Sequence, residues 1–166
     1  MFKDKNTELS QHVLDIRRIS YVTKGGRKQR IAALVVVGDK NGSVGVGLAK
    51  AKEVKKAVDK ATNSASNRMF NVHLFRKRTV NHDVVAKYDT TKVIVRSRRE
   101  GTGIVASNRI KSILKVLGCK DLNVKVVGST NSHNIVKALL KALLHINSAR
   151  ELSIRRGIPI AKVLSA

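Results

Sequence analysis

The sequence predicts an α+β fold in which a three-stranded antiparallel sheet plus one helix is followed by a βαβα two-layer unit. Two observations predict this class. Extended apolar stretches separated by glycine-containing turns come first, and stretches with helical spacing of apolar residues alternate with strands later in the chain. Hydrophobic residues make up 42% of the 166 residues, which is enough for a packed core. The chain therefore has room for one medium domain or for two small ones packed together.

Three strands are expected in the first part of the chain. Ile16–Val22 has extended character, and Lys24–Arg27 supplies a turn because glycine accepts positive φ. Ile31–Val37 is a purely apolar run that predicts a buried strand, and Asp39–Gly42 is a strong hairpin signal that leads into Ser43–Leu48. Glycines at positions 45 and 47 interrupt this last strand and indicate close packing.

The following segment, Lys52–Ser66, predicts a helix that packs on this sheet. Its apolar residues recur at helical spacing and are mostly small, namely Val54, Ala57, Val58, Ala61 and Ala65. Its lysines fall largely on the other face, namely Lys52, Lys55, Lys56 and Lys60. Three strands followed by a helix resemble the double-stranded-RNA-binding type of layer.

The second part of the chain predicts a strand, a helix, a strand and a helix in that order. The strands are Lys92–Arg96 and Leu122–Val127, and the helices are Ile104–Leu117 and Ser132–Ile146. A turn at Glu100–Gly103 joins the first strand to the first helix. Each helix has one apolar face, as expected for two helices that share a sheet.

A shift in composition predicts the domain boundaries. The basic stretch Arg76–Arg78 and the polar residues that follow it, as far as Thr91, mark the junction. We therefore expect a flexible tail over residues 1–10, a double-stranded-RNA-binding-like domain over 11–78, a βαβα domain over 79–147 and a helical extension over 148–166.

The charge of the chain predicts a polyanionic partner. Lysine and arginine total 34 against 11 acids, which gives a net charge of +23 and a pI near 11.0. Both halves are basic, with 18 basic and 6 acidic residues in positions 1–80 and 16 and 5 in positions 81–166. The longest apolar run is far shorter than the roughly 18 residues of a membrane span, and no lipidation signal is evident. Nucleic acid is therefore the expected partner, and no membrane is expected.

Other features of the sequence argue against secretion, metal binding and catalysis. Residues 1–10 lack a signal-peptide pattern, and the single cysteine, Cys119, fits a reducing compartment and cannot form an internal disulfide. The five histidines are scattered without metal-ligand spacing, and the best triad that can be assembled is Ser132 and His133 with Asp121. The turn at Glu100–Gly103 lacks a complete nucleotide fingerprint. We expect no enzyme activity, no cofactor, no metal and no small-molecule substrate.

The first predicted RNA-binding element is the Lys24-Gly25-Gly26-Arg27 turn. Two residues without side chains allow close approach to a phosphate, while a lysine and an arginine neutralise it. An ordinary hairpin turn with solvated charges is the alternative. Nearby cations favour RNA contact, namely Arg17, Arg18, Lys28 and Arg30. Aromatic residues make up only 3% of the chain, so we expect contacts to phosphate, ribose and RNA shape rather than base stacking.

Further RNA-binding candidates lie on or before helices. The exposed lysines of the first helix, Lys52, Lys55 and Lys56, are expected to face phosphates. Gly128-Ser129-Thr130-Asn131 ends a strand and opens a helix, which suits either an anion or simple helix capping. A row at spacings of four, Lys137, Lys141 and His145, is either a solvated face or a second row facing phosphates.

Read in order, these segments resemble the ribosomal protein S5 family of the small subunit, bacterial type, from about Leu14 to Gly157. The resemblance begins with Ile16–Ser20 and Val22–Arg27. It continues through Val36–Asp39, Asn41-Gly42, Val44-Gly45, Ala49–Val54, Glu100–Ala106, Gly128–Asn131 and Asn134–Val136. Single motifs are weak, but the ordered set is specific. The chain departs from the family pattern at three places. Proline is usual where this chain has Ser97–Arg99, and paired glycines are usual where it has Ser107-Asn108. Proline often follows the histidine where this chain has Asp83.

The resemblance implies a structural constituent of the small ribosomal subunit. It implies binding to small-subunit ribosomal RNA between body and head, a position beside the messenger RNA entry path, a role in decoding accuracy, and ribosomal proteins S4 and S8 as neighbours. Lys24–Arg27 match the loop near the head–neck RNA, which in this family also adjoins the spectinomycin site, and Arg18 matches an arginine near the messenger path. Gly101, Thr102, Gly103 and Lys111 match the segment that faces protein S4. The expected location is a ribosome, in the cytoplasm or in an organelle.

Two alternatives belong to other classes. A free double-stranded-RNA-binding regulator or ribosome assembly factor would also be basic, although such a protein ordinarily combines one RNA domain with an effector or dimerisation module. A small enzyme using the glycine turns would bind nucleotide.

Overall fold

The computed structural model describes residues 9–164. The chain divides into two compact units. Of the described residues, the first comprises 9–71 together with Lys111–Gly118, and the second comprises Val72–Ile110 and 119–164. The tail predicted over residues 1–10 lies outside the described residues except for Leu9 and Ser10.

The sheet of the first unit is antiparallel, as predicted. Its strands are β1 (Ser10–Thr23), β2 (Gly26–Gly38), β3 (Ser43–Ala51) and β4 (Phe70–Asn71), in the order β1-β2-β3-β4. The predicted three-stranded meander is confirmed, and the short strand β4 adds to its edge by pairing with Ser43 and Val44. β1 carries a bulge between Val13 and Asp15.

Strands β1 and β2 extend beyond the rest of this sheet as a two-stranded ribbon. The last pair between β2 and β3 is Ile31 with Ala51, whereas β1 and β2 remain paired from Ile19 with Arg30 to Thr23 with Gly26. A two-residue loop, Lys24-Gly25, joins the strands. We call Ile19–Arg30 the ribbon. The predicted glycine turn therefore forms the tip of this ribbon.

Helix α1 (Val54–Ser66) lies very close to the first sheet because both surfaces carry small residues. The buried side chains of the helix are Ala57, Ala61 and Ala65. They pack with Ala33, Val35 and Val37 of β2. A Cβ atom added to Gly47 of β3 would lie only 2.0 Å from the carbonyl oxygen of Ala61. The glycines of β3 thus mark close packing, as their position in the strand predicts.

The hairpin between β2 and β3 holds the segment Lys111–Gly118. The backbone N–H groups of Lys40 and Gly42 each donate at 3.0 Å, to the carbonyl oxygens of Val116 and Leu117 respectively. The side chain of Asp39 accepts from the N–H groups of Asn41 and Ser43. Burial alone would raise the pKa of Asp39, but these backbone hydrogen bonds lower it below its usual value.

The second unit contains a four-stranded mixed sheet, a separate two-stranded sheet made by its first two strands, and helices. Its strands are β5 (Leu74–Phe75), β6 (Thr79–Val80), β7 (Val84–Tyr88), β8 (Thr91–Ser97), β9 (Ile104–Val105) and β10 (Leu122–Gly128). Its helices are α2 (Asn108–Leu117), whose residues from Lys111 group with the first unit, α3 (Ser132–Leu144), α4 (Ala149–Arg156) and α5 (Ile160–Leu164). The main sheet has the order β7-β8-β10-β9, in which only β9 and β10 are parallel. The predicted βαβα order is present as β8, α2, β10 and α3.

Two parts of the second unit differ from the prediction. The first turn of the helix predicted at Ile104–Leu117 is wrong, because Ile104 and Val105 pair with Leu122 and Asn123 in the sheet and the helix begins at Asn108. The region interpreted as a polar junction contains β7. Its residues alternate between buried and exposed, so the strand pattern was present in the sequence but short.

Helix α3 covers one face of the second sheet with larger side chains than those of α1. It contacts β7 and β8. Its buried residues are Ser132, Ile135, Val136, Ala138, Leu139, Ala142 and Leu143. The covered face of the sheet includes Val84, Ala86, Val93 and Val95, all of which are buried.

Helix α4 has clear boundaries. Ser148 and Glu151 form a capping box at its start, and Gly157 ends it with φ of 65°. Glu151 also pairs with His73 at 3.1 Å. In residues 9–164, the helices are all too short or too polar to cross a membrane.

Candidate nucleic-acid interface

The ribbon is exposed to solvent on both faces. Residues paired across antiparallel strands share a face, so Tyr21 and Lys28 lie on one face while Val22 and Arg27 lie on the other. Val22 is 82% exposed, which shows that α1 does not cover the ribbon. Every predicted RNA-binding residue of the ribbon is exposed: Lys24, Gly25, Gly26, Arg27, Lys28 and Arg30.

Local contacts orient the ribbon's cations without neutralising them. The guanidinium of Arg30 lies 5.8 Å from the centroid of the Tyr21 ring. Arg27 donates to the Ser20 hydroxyl at 3.1 Å. Within residues 9–164, none of the ion pairs involves a ribbon residue. The charges of the ribbon's lysines and arginines therefore remain available to an anion.

The tip of the ribbon leaves room for close approach. A Cβ atom added to Gly25 or Gly26 would meet no atom within 4 Å. Gly26 has φ of +112°, a conformation that favours glycine. Thr23 donates its hydroxyl proton to the Gly26 carbonyl at 2.9 Å and closes the turn. A phosphate could thus reach the backbone here between two cations.

The two arginines before the ribbon differ in a way that the sequence did not indicate. Arg17 pairs with Ala32 and Arg18 with Ile31, so they lie on opposite faces of the sheet. Arg17 also forms an ion pair with Asp15 at 2.9 Å. Arg18 is exposed on the face that α1 occupies further along the sheet. The charge of Arg17 is thus partly neutralised within the chain.

The predicted lysines of the first helix are exposed. Lys55 and Lys56 lie in the first turn of α1, whereas Lys52 precedes the helix. Lys56 pairs with Glu53 at 3.1 Å, a solvent-exposed contact of small energetic value. Lys52 and Lys55 are the more available cations of this group.

The predicted anion site at Gly128–Asn131 precedes α3 in the second unit. Asn131 is the N-cap residue and makes no side-chain cap hydrogen bond within the described part of the chain. Instead, the Ser129 hydroxyl accepts from the Asn131 N–H at 3.3 Å, and Thr91 donates to the Ser129 carbonyl. Thr130 and Asn131 are exposed. The side chain of Asn131 therefore does not cap the helix by a hydrogen bond.

The row of basic residues on α3 packs along strand β7. Lys137 donates to the Tyr88 hydroxyl at 2.9 Å, and Lys141 donates to the Lys87 carbonyl at 3.3 Å. Burial lowers the pKa of the neighbouring His133, with a further contribution from the charge of Lys137. These lysines support the edge of the sheet, a role that their spacing on the helix did not reveal.

The Gly101-Thr102-Gly103 turn is held by two residues that sequence reasoning did not assign to it. Asp121 accepts the Gly103 N–H at 2.9 Å and pairs with Arg78 at 3.0 Å. Arg78 also pairs with Glu100. The Gly103 hydrogen bond lowers the pKa of Asp121, against the effect of burial, and Arg78 lowers it further. The carboxylate of Asp121 is therefore committed to this turn.

The predicted protein-interface residues divide between the two units. Gly101 and Gly103 have positive φ, and Gly101 and Thr102 are exposed. Lys111 is half-buried and groups with the first unit, whereas the turn belongs to the second.

A second basic turn joins β5 and β6. Arg76 and Lys77 are exposed and have φ of 49° and 54°, which is unusual for residues other than glycine. Arg78 donates its N–H to the Phe75 carbonyl at 3.0 Å and closes the turn. The basic stretch of the sequence therefore forms a tight hairpin.

The chain matches two models of one protein family along most of its length. The model described as ribosomal protein S5, N-terminal domain, matches residues 9–73, and that described as ribosomal protein S5, C-terminal domain, matches residues 86–156.

Curated proteins named small ribosomal subunit protein uS5 are similar over nearly the whole chain. The relative from Anaplasma phagocytophilum (strain HZ) is 40% identical over 95% of this chain and 91% of its own length. The relative from Wolbachia pipientis wMel is 41% identical over 96% and 94%. That from Rickettsia typhi (strain ATCC VR-144 / Wilmington) is 42% identical over 96% and 91%. Their name describes a ribosomal protein and not an enzyme. The chain therefore belongs to the ribosomal protein S5 family of the small ribosomal subunit.

Proposed function

We propose that this protein is a structural constituent of the small ribosomal subunit that binds small-subunit ribosomal RNA mainly through phosphate and ribose. The observation that carries the proposal is the ribbon, which presents four cations on a two-stranded hairpin open to solvent on both sides. A two-stranded hairpin is marginally stable in water by itself. Folded RNA around the ribbon would neutralise its charge and fix its conformation.

The finer placement follows from the family resemblance. The ribbon tip would contact RNA at the junction of body and head, and Arg18 would lie near the messenger RNA entry path. Its exposure is compatible with that role. The Gly101–Gly103 turn, with Lys111, would face ribosomal protein S4, and S8 would be a further neighbour. Through these contacts the protein would support translational accuracy in the ribosome, in the cytoplasm.

The remaining RNA-binding candidates fit the same proposal. Lys52, Lys55 and Lys56 would contact RNA from the first domain, taken as residues 11–78. Ser129, Thr130 and Asn131 would hold a phosphate at the start of α3 in the second domain, taken as residues 79–147, where the exposed N-cap leaves space for an anion. Arg17 would contribute less, because Asp15 competes for its charge.

Sedimentation of cell extracts tests this function against the alternative of a free regulator or assembly factor. We expect the protein in one copy per small subunit after washing in high salt, and in translating ribosomes. A regulator would sediment free of ribosomes, and an assembly factor would be found only with immature particles. Either result would contradict the proposal.

A further inference from the structure

The face of the second sheet opposite α3 is open and basic. Alternation along the strands places one set of side chains under α3 and the other set outward. The cross-strand pairs of the outward set are Val85 with Ile94, Lys87 with Lys92, Arg96 with Asn123, Lys125 with Ile94, and Val127 with Lys92. We call these eight residues the open face. Val85 is 57% exposed and Val127 is 50% exposed, so no element of the described chain covers them.

The open face carries four cations and no carboxylate. Lys87, Lys92, Arg96 and Lys125 are all exposed. The ion pairs found in residues 9–164 all lie elsewhere. The face therefore has a concentrated, unneutralised positive charge, which fits a polyanion and disfavours a basic or neutral protein surface.

One cross-strand pair points independently to a bound anion. Lys87 and Lys92 are directly opposite on antiparallel strands. Like charges in this position destabilise a sheet, whereas opposite charges stabilise it. A phosphate between the two ammonium groups would convert the repulsion into two attractions.

The dimensions and chemistry of the open face favour RNA over a single phosphate group. Lys92 and Arg96 are four residues apart on one strand, which corresponds to about 13 Å, so side chains that stand perpendicular to the sheet would meet different phosphates. There are no aromatic side chains on the face for base stacking. Asn123 lines a shallow depression with Ile94, Arg96 and Lys125. Its amide is suited to a ribose hydroxyl, the group that distinguishes RNA from DNA.

We propose that the open face is a second RNA-binding surface, which binds the phosphate backbone of folded ribosomal RNA independently of the ribbon. This inference rests on the proposed function, because it assumes that the ligand is the RNA of the small subunit. It adds to that function a separate surface on the second unit, formed by strands rather than by loops or helix ends.

The first experiment measures how binding to folded small-subunit ribosomal RNA depends on salt. The test variant replaces Lys87, Lys92, Arg96 and Lys125 with glutamine. The control variant removes the same number of charges at exposed positions elsewhere, with glutamine at Lys115, Lys120, Arg150 and Arg155. We expect the test variant to reduce the slope of log K against log salt by about 3, since each lost phosphate contact contributes roughly 0.7 to 0.9. Equal slopes for the two variants would overturn the proposal.

The second experiment locates the RNA and separates this proposal from the general function. Cys119 is buried and is replaced by alanine. A radical-generating probe is then attached to a single cysteine at Lys92, at Arg27 in the ribbon or at Lys115 as control, and each protein is assembled into small subunits. We expect RNA cleavage near both Lys92 and Arg27, at different RNA sites, and less near Lys115.

Other outcomes are equally decisive. Cleavage from Arg27 without cleavage from Lys92 would overturn the open-face proposal and leave the proposed function standing. Cleavage of a neighbouring protein by the probe at position 92, with no RNA cleaved, would show that the open face is a protein interface instead. Cleavage from neither site would overturn the RNA-binding function as well.

Discussion

The two helix–sheet layers of this protein are packed in opposite ways. In the first layer, α1 presents alanines to the glycines of β3, so backbone lies against backbone with no room for an added atom. In the second layer, α3 presents leucine, isoleucine and valine side chains to a sheet of valines. Interiors are close-packed in both cases. The first layer should therefore be most sensitive to atoms that are added, and the second to atoms that are removed.

The largest effect is expected from adding atoms to the first layer. Gly47→Val places side-chain atoms where the Ala61 carbonyl lies. We expect the free energy of unfolding to fall by about 3 kcal/mol or more, since overpacking costs 1 to 3 kcal/mol and occasionally more. Chemical denaturation measures it. Gly25→Ala is the control, because nothing lies within 4 Å of its added methyl group, and a stable Gly47→Val protein would refute the close-packing interpretation.

The second effect comes from removing atoms from the other layer. Leu139 is fully buried in α3, and Leu139→Ala leaves a cavity. We expect a loss of about 3 kcal/mol in the free energy of unfolding, within the range of 2 to 5 kcal/mol for such changes. Leu144→Ala is the control, since Leu144 is 60% exposed. Equal effects of the two substitutions would contradict the packing described for α3.

A smaller effect on stability, which depends on pH, is expected from Asp121 in the second unit. The folded-state pKa of Asp121 is lowered, so its ionised form stabilises the second unit at neutral pH and this contribution is lost as pH falls through that pKa. We expect Asp121→Asn to unfold more easily than the natural protein at pH 7, with the difference shrinking below about pH 4. Denaturation across this range measures it. Asp59→Asn, at an exposed position on α1, is the control and should leave the free energy of unfolding at pH 7 nearly unchanged.

The smallest effect on stability is expected in the ribbon, which neither layer covers. Lys24→Ala with Arg27→Ala should change the free energy of unfolding by no more than about 0.5 kcal/mol, as is usual at exposed sites. The same variant should bind ribosomal RNA with a salt slope reduced by about 1.4 to 1.8, from two lost phosphate contacts. Lys115→Ala with Lys120→Ala serves as the charge-matched control. An unchanged slope would mean that the ribbon tip does not touch phosphate.

The elements with strong local signals could be predicted, and those that depend on pairing could not. The Asp39–Gly42 hairpin, the small-residue stripe of α1 and the strand at Leu122 were all recognisable from turn residues and periodicity. β9 could not be distinguished from a helical turn, because Ile104 and Val105 fit either and only pairing with β10 decides. Similarly, Arg78 and Asp121 are 43 positions apart, so no local pattern could indicate that they hold the Gly103 turn together.

By itself, the sequence determined the α+β class, the strongly basic charge, the family and the cations at the ribbon tip, because composition, short-range periodicity and turn chemistry act between neighbours in the chain. Only the tertiary structure decided which cations of the chain are held by internal contacts and which remain available to an anion. It separated Arg17 from Arg18, placed Lys137 and Lys141 against β7, and gathered four cations from three strands on the open face. Charge neutralisation depends on distance in space, and strand pairing brings together residues that are remote in sequence.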